Sequence, residues 1–256
     1  MTGSISITPA GYVYNNYLEN AFQLSKKLSS DFDSLNNKRA SVLQIGFGPW
    51  RGSILLPHIL PLFLKKHPQV QIVLHERPLD VIYDLISKNK LDFAIMTTYL
   101  DTPDFISADI IRYETAYLMA NKHHPLTPAV AAAIAARRPE EALRIIQHEM
   151  FFMLNKHQPV GSRVHAYLEK HNVYPYNRVE TTNTTTSVNC IAQNLGFGYF
   201  LDTGVESTKL HKDLVFFDLK TPELTAPLCV VYKKNASFSL AAREFIDFVK
   251  EYYTSL

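Results

Sequence analysis

The chain has 256 residues, 46% of them hydrophobic and 20% charged, with a formal net charge of +2. That length and composition suit a folded protein with one large domain or two lobed cores, and exclude a disordered or low-complexity chain. The small net charge is too little to imply nucleic-acid binding by electrostatics alone. No apolar run is long enough to cross a bilayer, no charged-then-apolar start marks a secretory signal, and Cys190 and Cys229 are the only cysteines, so a cytoplasmic, reduced protein without membrane contact is expected.

Pro9 suits the first turn of a helix, with Thr8 as its N-cap. From there Tyr14, Leu18, Ala21, Ser25, Leu28, Phe32 and Leu35 repeat at spacings of four and three, an a/d seam over about three heptads that Ser25 weakens. A lone helix cannot bury such a seam, so Tyr14, Leu18, Ala21, Leu28, Phe32 and Leu35 are read as an oligomerisation face, in a homodimer or homotetramer. The polar stretch Asn36-Asn37-Lys38-Arg39 reads as a hinge.

After the hinge one pattern occurs twice. Strand 42–47, a helix near 56–66 with Leu56, Leu60, Phe63 and Leu64 on one face, strand 70–75, a helix near 79–89 and strand 93–97 make the first copy. Strand 150–154, a helix near 161–171, a strand near 177–181, a helix near 185–195 with Val188, Ile191, Ala192 and Leu195 on one face, and strand 197–201 make the second. Each βαβαβ unit predicts a parallel sheet with right-handed crossovers, and two of them predict α/β lobes facing a cleft. Between the copies, a long strand from Asp109 to Ala120 carries the chain across, and an Ala-rich helical stretch from Pro128 to Arg144 lengthens the connection. A strand at 228–232 and a helix with Ala241, Phe245, Phe248, Val249 and Tyr252 on one face close the sequence.

Small ligands of open α/β sheets bind at the carboxyl ends of strands. In the first lobe those positions are Pro49, Trp50, Arg51 and Ser53, then Arg77 and Pro78, then Thr97 and Thr98; in the second they are Asn155 and His157, then Asn183, Thr184 and Thr185, then Phe200. Helix-start N–H groups and Arg51 would hold a carboxylate, with Trp50 as an apolar wall. The bland alternatives are a surface Trp50–Arg51 stack and simple helix capping by the hydroxyl-rich run Thr181 to Ser187.

The other motifs are weak. Gly46-x-Gly48-x-x-x-Gly52 after a strand invites a dinucleotide reading, but Arg51 takes the third glycine's place and Pro57 and Pro61 spoil the following helix. His165 and His171, six apart, read as solvated helix residues rather than metal ligands, and Cys190 as an inert thiol without a resolving partner. No nucleophile elbow, zinc signature or phosphate loop is present, so no catalytic residue, cofactor or metal is expected.

Several short motifs together resemble one family. Ser4-Ile5-Ser6-Ile7-Thr8-Pro9-Ala10-Gly11 is similar to the last wing strand and helix start that close the DNA-reading domain of LysR-type transcriptional regulators. Ile45-Gly46, Leu56-Pro57, His67-Pro68-Gln69-Val70, Leu91-Asp92-Phe93-Ala94-Ile95, His124-Pro125-Leu126 and Ile191-Ala192 through Leu195-Gly196-Phe197-Gly198 follow in the family's order. Asn194 departs from the usual glycine and Asp202 from a common proline. The resemblance implies a two-lobed α/β fold like type 2 periplasmic binding proteins, preceded by a linker helix. Residues 1–40 would be the wing remnant and linker, and 41–256 the effector-binding domain. Lobe I would take about 41–122 and 228–256, and lobe II about 123–227. It implies a small, anionic effector between the lobes and no DNA contact by this chain, the winged helix-turn-helix lying elsewhere in a full-length regulator. A solute-binding protein, or an enzyme on the same scaffold, are the alternatives.

Overall fold

The computed structural model describes residues 7–35, 42–207 and 212–255. The first helix, α1, runs Pro9–Leu35. Thr8 caps it, its Oγ1 accepting the Gly11 N–H at 3.1 Å. Tyr14, Leu18, Leu28 and Phe32 are all exposed in the single chain, as is Ala21. The side chain of Leu35, the hinge at 36–39 and residues 4–6 lie outside the described residues.

The first unit follows as β1 (Val42–Phe47), α2 (Pro49–Lys66), β2 (Gln71–Glu76), α3 (Leu79–Ser87) and β3 (Phe93–Thr97). β1 lies between β2 and β3, parallel to both. The long strand β4 (Ile106–Asn121) leaves this unit, and two short helices, α4 (Thr127–Ala135) and α5 (Pro139–Ile146), lead to the second. That unit is β5 (Met150–Leu154), α6 (Pro159–Lys170), β6 (Asn177–Thr181), α7 (Thr184–Ala192) and β7 (Phe197–Leu201). Its first strand, β5, again sits in the middle, parallel to β6 and β7. The same five-element plan is thus built twice, as the repeated pattern predicted.

After α8 (Asp202–Ser207) and β8 (Leu214–Phe217), the chain returns through β9 (Thr225–Lys233) to α9 (Leu240–Ser255). β9 pairs antiparallel with β3 and with residues Ile106 to Thr115 of β4, while Ala116 to Ala120 of β4 pair with β7. One strand therefore belongs to both lobes. α9 packs on the first lobe, where Phe245 and Val249 join Leu43, Ile45, Phe63 and Phe93 in one buried core.

Several boundaries differ from the sequence reading. The first-lobe helix begins at Pro49, not near 56, so Trp50, Arg51 and Ser53 lie in its first turns rather than in a loop. Pro49 presets the first turn, and Pro57 and Pro61 fall on the exposed side of the helix. The buried face is Leu55, Leu56, Ile59 and Phe63, and Leu64 is exposed. The Ala-rich stretch is two helices, not one: Arg137 turns left-handed at φ 59° and Pro139 starts the second. α7 stops at Ala192, and Asn194 at φ 64° supplies the left-handed cap that its side chain tolerates. Leu195, placed on the buried face by periodicity, lies past that stop and is exposed.

Candidate functional site

A cavity of about 320 Å³ opens between the lobes, at the carboxyl ends of β1, β3, β5 and β7. Its wall takes Pro49, Trp50, Arg51 and Thr97 from the first lobe and Asn183, Thr184 and Phe200 from the second. These are half of the residues that strand-end reasoning selected. The others lie off the wall. Ser53 turns back to the Trp50 carbonyl, Arg77 and Pro78 are exposed, and Thr98 is buried against Cys229. The Asn155 carboxamide accepts the His157 N–H, and Thr185 donates its backbone N–H to Asn183.

Sequence reasoning missed the rest of the wall. Met96, Leu154, Val160 and Leu201 add apolar surface, and Gln158 adds an amide. Tyr199 adds a phenol whose buried hydroxyl has no hydrogen-bond partner among the described residues. Thr182 belongs to the hydroxyl-rich run from Thr181 to Ser187 that the sequence had singled out. Their signal was available in part. Leu154 and Leu201 end their strands, and Pro159 marks the next helix start.

Three helices start at this cavity. In α2 the first intrahelical bond runs from Gly52 to Gly48, leaving the Trp50 and Arg51 N–H groups without a helical partner. In α6 it runs from Ser162 to Gln158, leaving those of Val160 and Gly161. Neither N-cap supplies a side-chain acceptor. α7 is different: Asn183 caps it, accepting from Thr185 and Thr186. Each helix start carries roughly half a positive charge, which favours an anion.

Trp50 is the hinge of the wall. Its ring meets Phe200 of the other lobe edge-on at 4.9 Å. Gly204 makes that fit possible, because a Cβ there would lie 2.5 Å from both the Trp50 and Phe200 rings. Arg51 sits 5.9 Å from the Trp50 ring, but this is no surface stack. Its guanidinium is buried and ion-paired to Glu114 at 2.6 Å. It also donates to the Tyr253 hydroxyl and to Thr97 Oγ1, each at 2.8 Å.

Glu114 is fully buried on β4. Its Oε2 accepts from Arg51 and Thr97, and its Oε1 from the Thr203 hydroxyl at the start of α8. A single carboxylate thus ties α2, β3 and α8 to the strand shared by both lobes. Burial opposes the charge on Arg51, yet Glu114 and Tyr253 outweigh it and hold Arg51 firmly protonated. Burial also pushes the Tyr253 phenol up, against the pull of Arg51. Next to this network, Asp202 Oδ1 accepts the N–H groups of Thr115 and Thr203. Burial raises the Asp202 carboxyl in spite of those bonds.

A second bridge spans the lobes at the surface, where the Tyr99 hydroxyl donates to the His157 carbonyl at 2.7 Å. Among the described residues there is no cluster of His, Cys, Asp or Glu able to hold a metal ion. His165 and His171 are half-buried rather than solvated: one bonds the Leu154 carbonyl at 3.2 Å, the other lies 3.4 Å from Glu140. No helix among the described residues is long and apolar enough to cross a membrane.

The family described as LysR substrate binding domain matches residues 36–254. The chain belongs to that family. Among curated relatives of this LysR-type domain is the hydrogen peroxide-inducible genes activator of Haemophilus influenzae, 20% identical over 91% of this chain and 74% of the relative. Another is the transcriptional dual regulator GltC of Bacillus subtilis, 17% identical over 99% of this chain and 81% of the relative. Among solved structures, the effector binding domain of BenM with its effector benzoate superposes with a TM-score of 0.66. It is 16% identical and covers 85% of this chain and 94% of its own. The reduced regulatory domain of OxyR2 from Vibrio vulnificus gives 0.68 at 16% identity, covering 83% and 95%. At these identities the likeness establishes the fold alone: a two-lobed α/β fold like that of the periplasmic binding proteins.

Proposed function

We propose that this LysR-type domain senses a small anionic effector held in the cavity between its lobes. The observation that carries the reading is the position of the cavity. It lies where both repeated units end their strands, where uncapped helix starts meet, and where Trp50 reaches across to Phe200. The BenM domain, whose effector is benzoate, has the same fold.

In this reading lobe I takes residues 41–122 and 228–256 and lobe II 123–227, joined through β4. Pro49, Trp50, Thr97, Asn183, Thr184 and Phe200 contact the effector, while Arg51 shapes the wall without donating its charge. Binding favours one setting of the lobes, and the exposed apolar face of α1 passes that preference to a second copy of the chain. DNA contact belongs to a winged helix-turn-helix in the intact regulator, the protein works in the cytoplasm, and no reaction is catalysed.

The test is isothermal calorimetry of the purified chain against small carboxylates, amino acids and inorganic phosphate. We expect saturable binding of at least one anion, lost in Trp50→Ala. Turnover of a bound compound, or binding untouched by Trp50→Ala, would sink this reading.

A further inference from the structure

The charge of the effector follows from the state of Arg51. Among the described residues lining the cavity, Arg51 alone carries a formal charge. That charge is already neutralised, because Glu114 holds the guanidinium at 2.6 Å with both side chains buried. Thr97 is committed too, accepting from Arg51 and donating to Glu114. The remaining anchors carry no formal charge: helix-start N–H groups, the hydroxyls of Thr182, Thr184 and Tyr199, and the Gln158 amide. The two uncapped starts, of α2 and α6, together offer about one positive charge, which offsets one carboxylate; a second would lie against Trp50, Met96, Leu154 and Phe200 with no counter-charge. The volume sets the body. An apolar cavity of about 150 Å³ takes benzene, so about 320 Å³ takes a ring plus a short arm.

We infer that the cavity selects a singly charged carboxylate on a ring-sized apolar body, and that the Arg51–Glu114 pair is what excludes dianions. This inference rests on the cavity being the effector site. The pair acts as a charge filter: Glu114 cancels the one cation that a second carboxylate needs.

A matched series tests it. Phenylacetate, phenylmalonate and phenylacetamide share a ring and a carbon arm but carry one, two and no negative charges. Calorimetry on the wild-type chain should show phenylacetate binding at least about tenfold more tightly than either of the others. Trp50→Ala should abolish it. In Glu114→Gln the freed Arg51 should reverse the order, with phenylmalonate becoming the tighter ligand and raising Tm more than phenylacetate. Phenylmalonate or phenylacetamide matching phenylacetate in the wild type overturns the inference while leaving the cavity as the effector site. The charge filter also falls if none of the series binds while another anion does so in a Trp50-dependent way. Binding by no anion at all removes the site reading as well. Should Glu114→Gln fail to fold, the wild-type comparison decides alone.

Discussion

At the scale of single residues, the buried Arg51–Glu114 pair governs both stability and selectivity. Removing one partner leaves the other's charge buried and unpaired. Glu114→Ala should therefore cost about 3–5 kcal/mol of folding stability, read from urea unfolding. Replacing both residues by apolar ones of similar size should cost less than either single change, because no orphan charge remains. Asp202 offers a separate pH signature. Burial raises its folded carboxyl above the ordinary value, so its ionisation weakens the fold. Its contribution is most favourable below the unfolded carboxylate range and is lost as pH rises through the raised folded value. The stability of wild type relative to Asp202→Asn should thus improve as pH falls through that range, in paired thermal melts. A difference that stays flat with pH, or grows as pH rises, would refute this. Such residues were only faintly legible in the sequence. Glu114 is the one carboxylate between Ile110 and Ala120, and a carboxylate in a central strand is a signal of a buried partner; the local cation, Arg112, faces Asp202 instead at 3.6 Å. Nothing local names Arg51, 63 positions earlier, as that partner.

Secondary-structure elements were read more reliably, because period and capping are local. The strands of the two repeated units, the Thr8 cap and the Asn194 stop follow from residue type, whereas β8 was not read. The start of α2 did not follow, because Pro49 to Gly52 show no apolar period and only the stretch from Leu56 carried one, while burial of Leu55, Ile59 and Phe63 sustains the helix from Pro49. That one misreading turned the first turns of α2 into a loop and left Arg51 available to a ligand. Two predictions belong to this scale. Gly204→Ala pushes a Cβ to within 2.5 Å of the Trp50 and Phe200 rings, and one ring must move. We expect a lower Tm and weaker ligand binding, the cost of overpacking being about 1–3 kcal/mol. On α1, Leu18→Glu and Leu28→Glu place charges on the exposed apolar face. Sedimentation velocity should show the assembly falling to smaller species, with the far-UV spectrum of the α/β domain unchanged.

At the scale of the whole molecule, the doubled βαβαβ plan made two lobes and a cleft legible, and half of the residues that the strand-end rule selected line the cavity. Which strand-end residues face the cavity depends on how closely the lobes approach, which no local pattern encodes. Tyr99 reports on that approach. Tyr99→Phe deletes the hydroxyl that bridges to His157 and should speed ligand release by about fivefold, the value of one hydrogen bond near 1 kcal/mol. Stopped-flow dissociation would measure it; an unchanged rate would mean that the bridge does not restrain the lobes.

The return of β9 and α9 to the first lobe also bears on how the protein is made. The buried strands and helices of the second lobe lie in one stretch, from Ala116 to Leu224. That lobe can therefore close while the ribosome is still adding residues. The first lobe cannot. Its core stays open until Leu228, Val230, Phe245 and Val249 emerge, so Leu43, Ile45 and Phe63 wait without cover through most of synthesis. The lobe begun first is the lobe finished last, and the interval between the two is when the nascent chain most needs a chaperone.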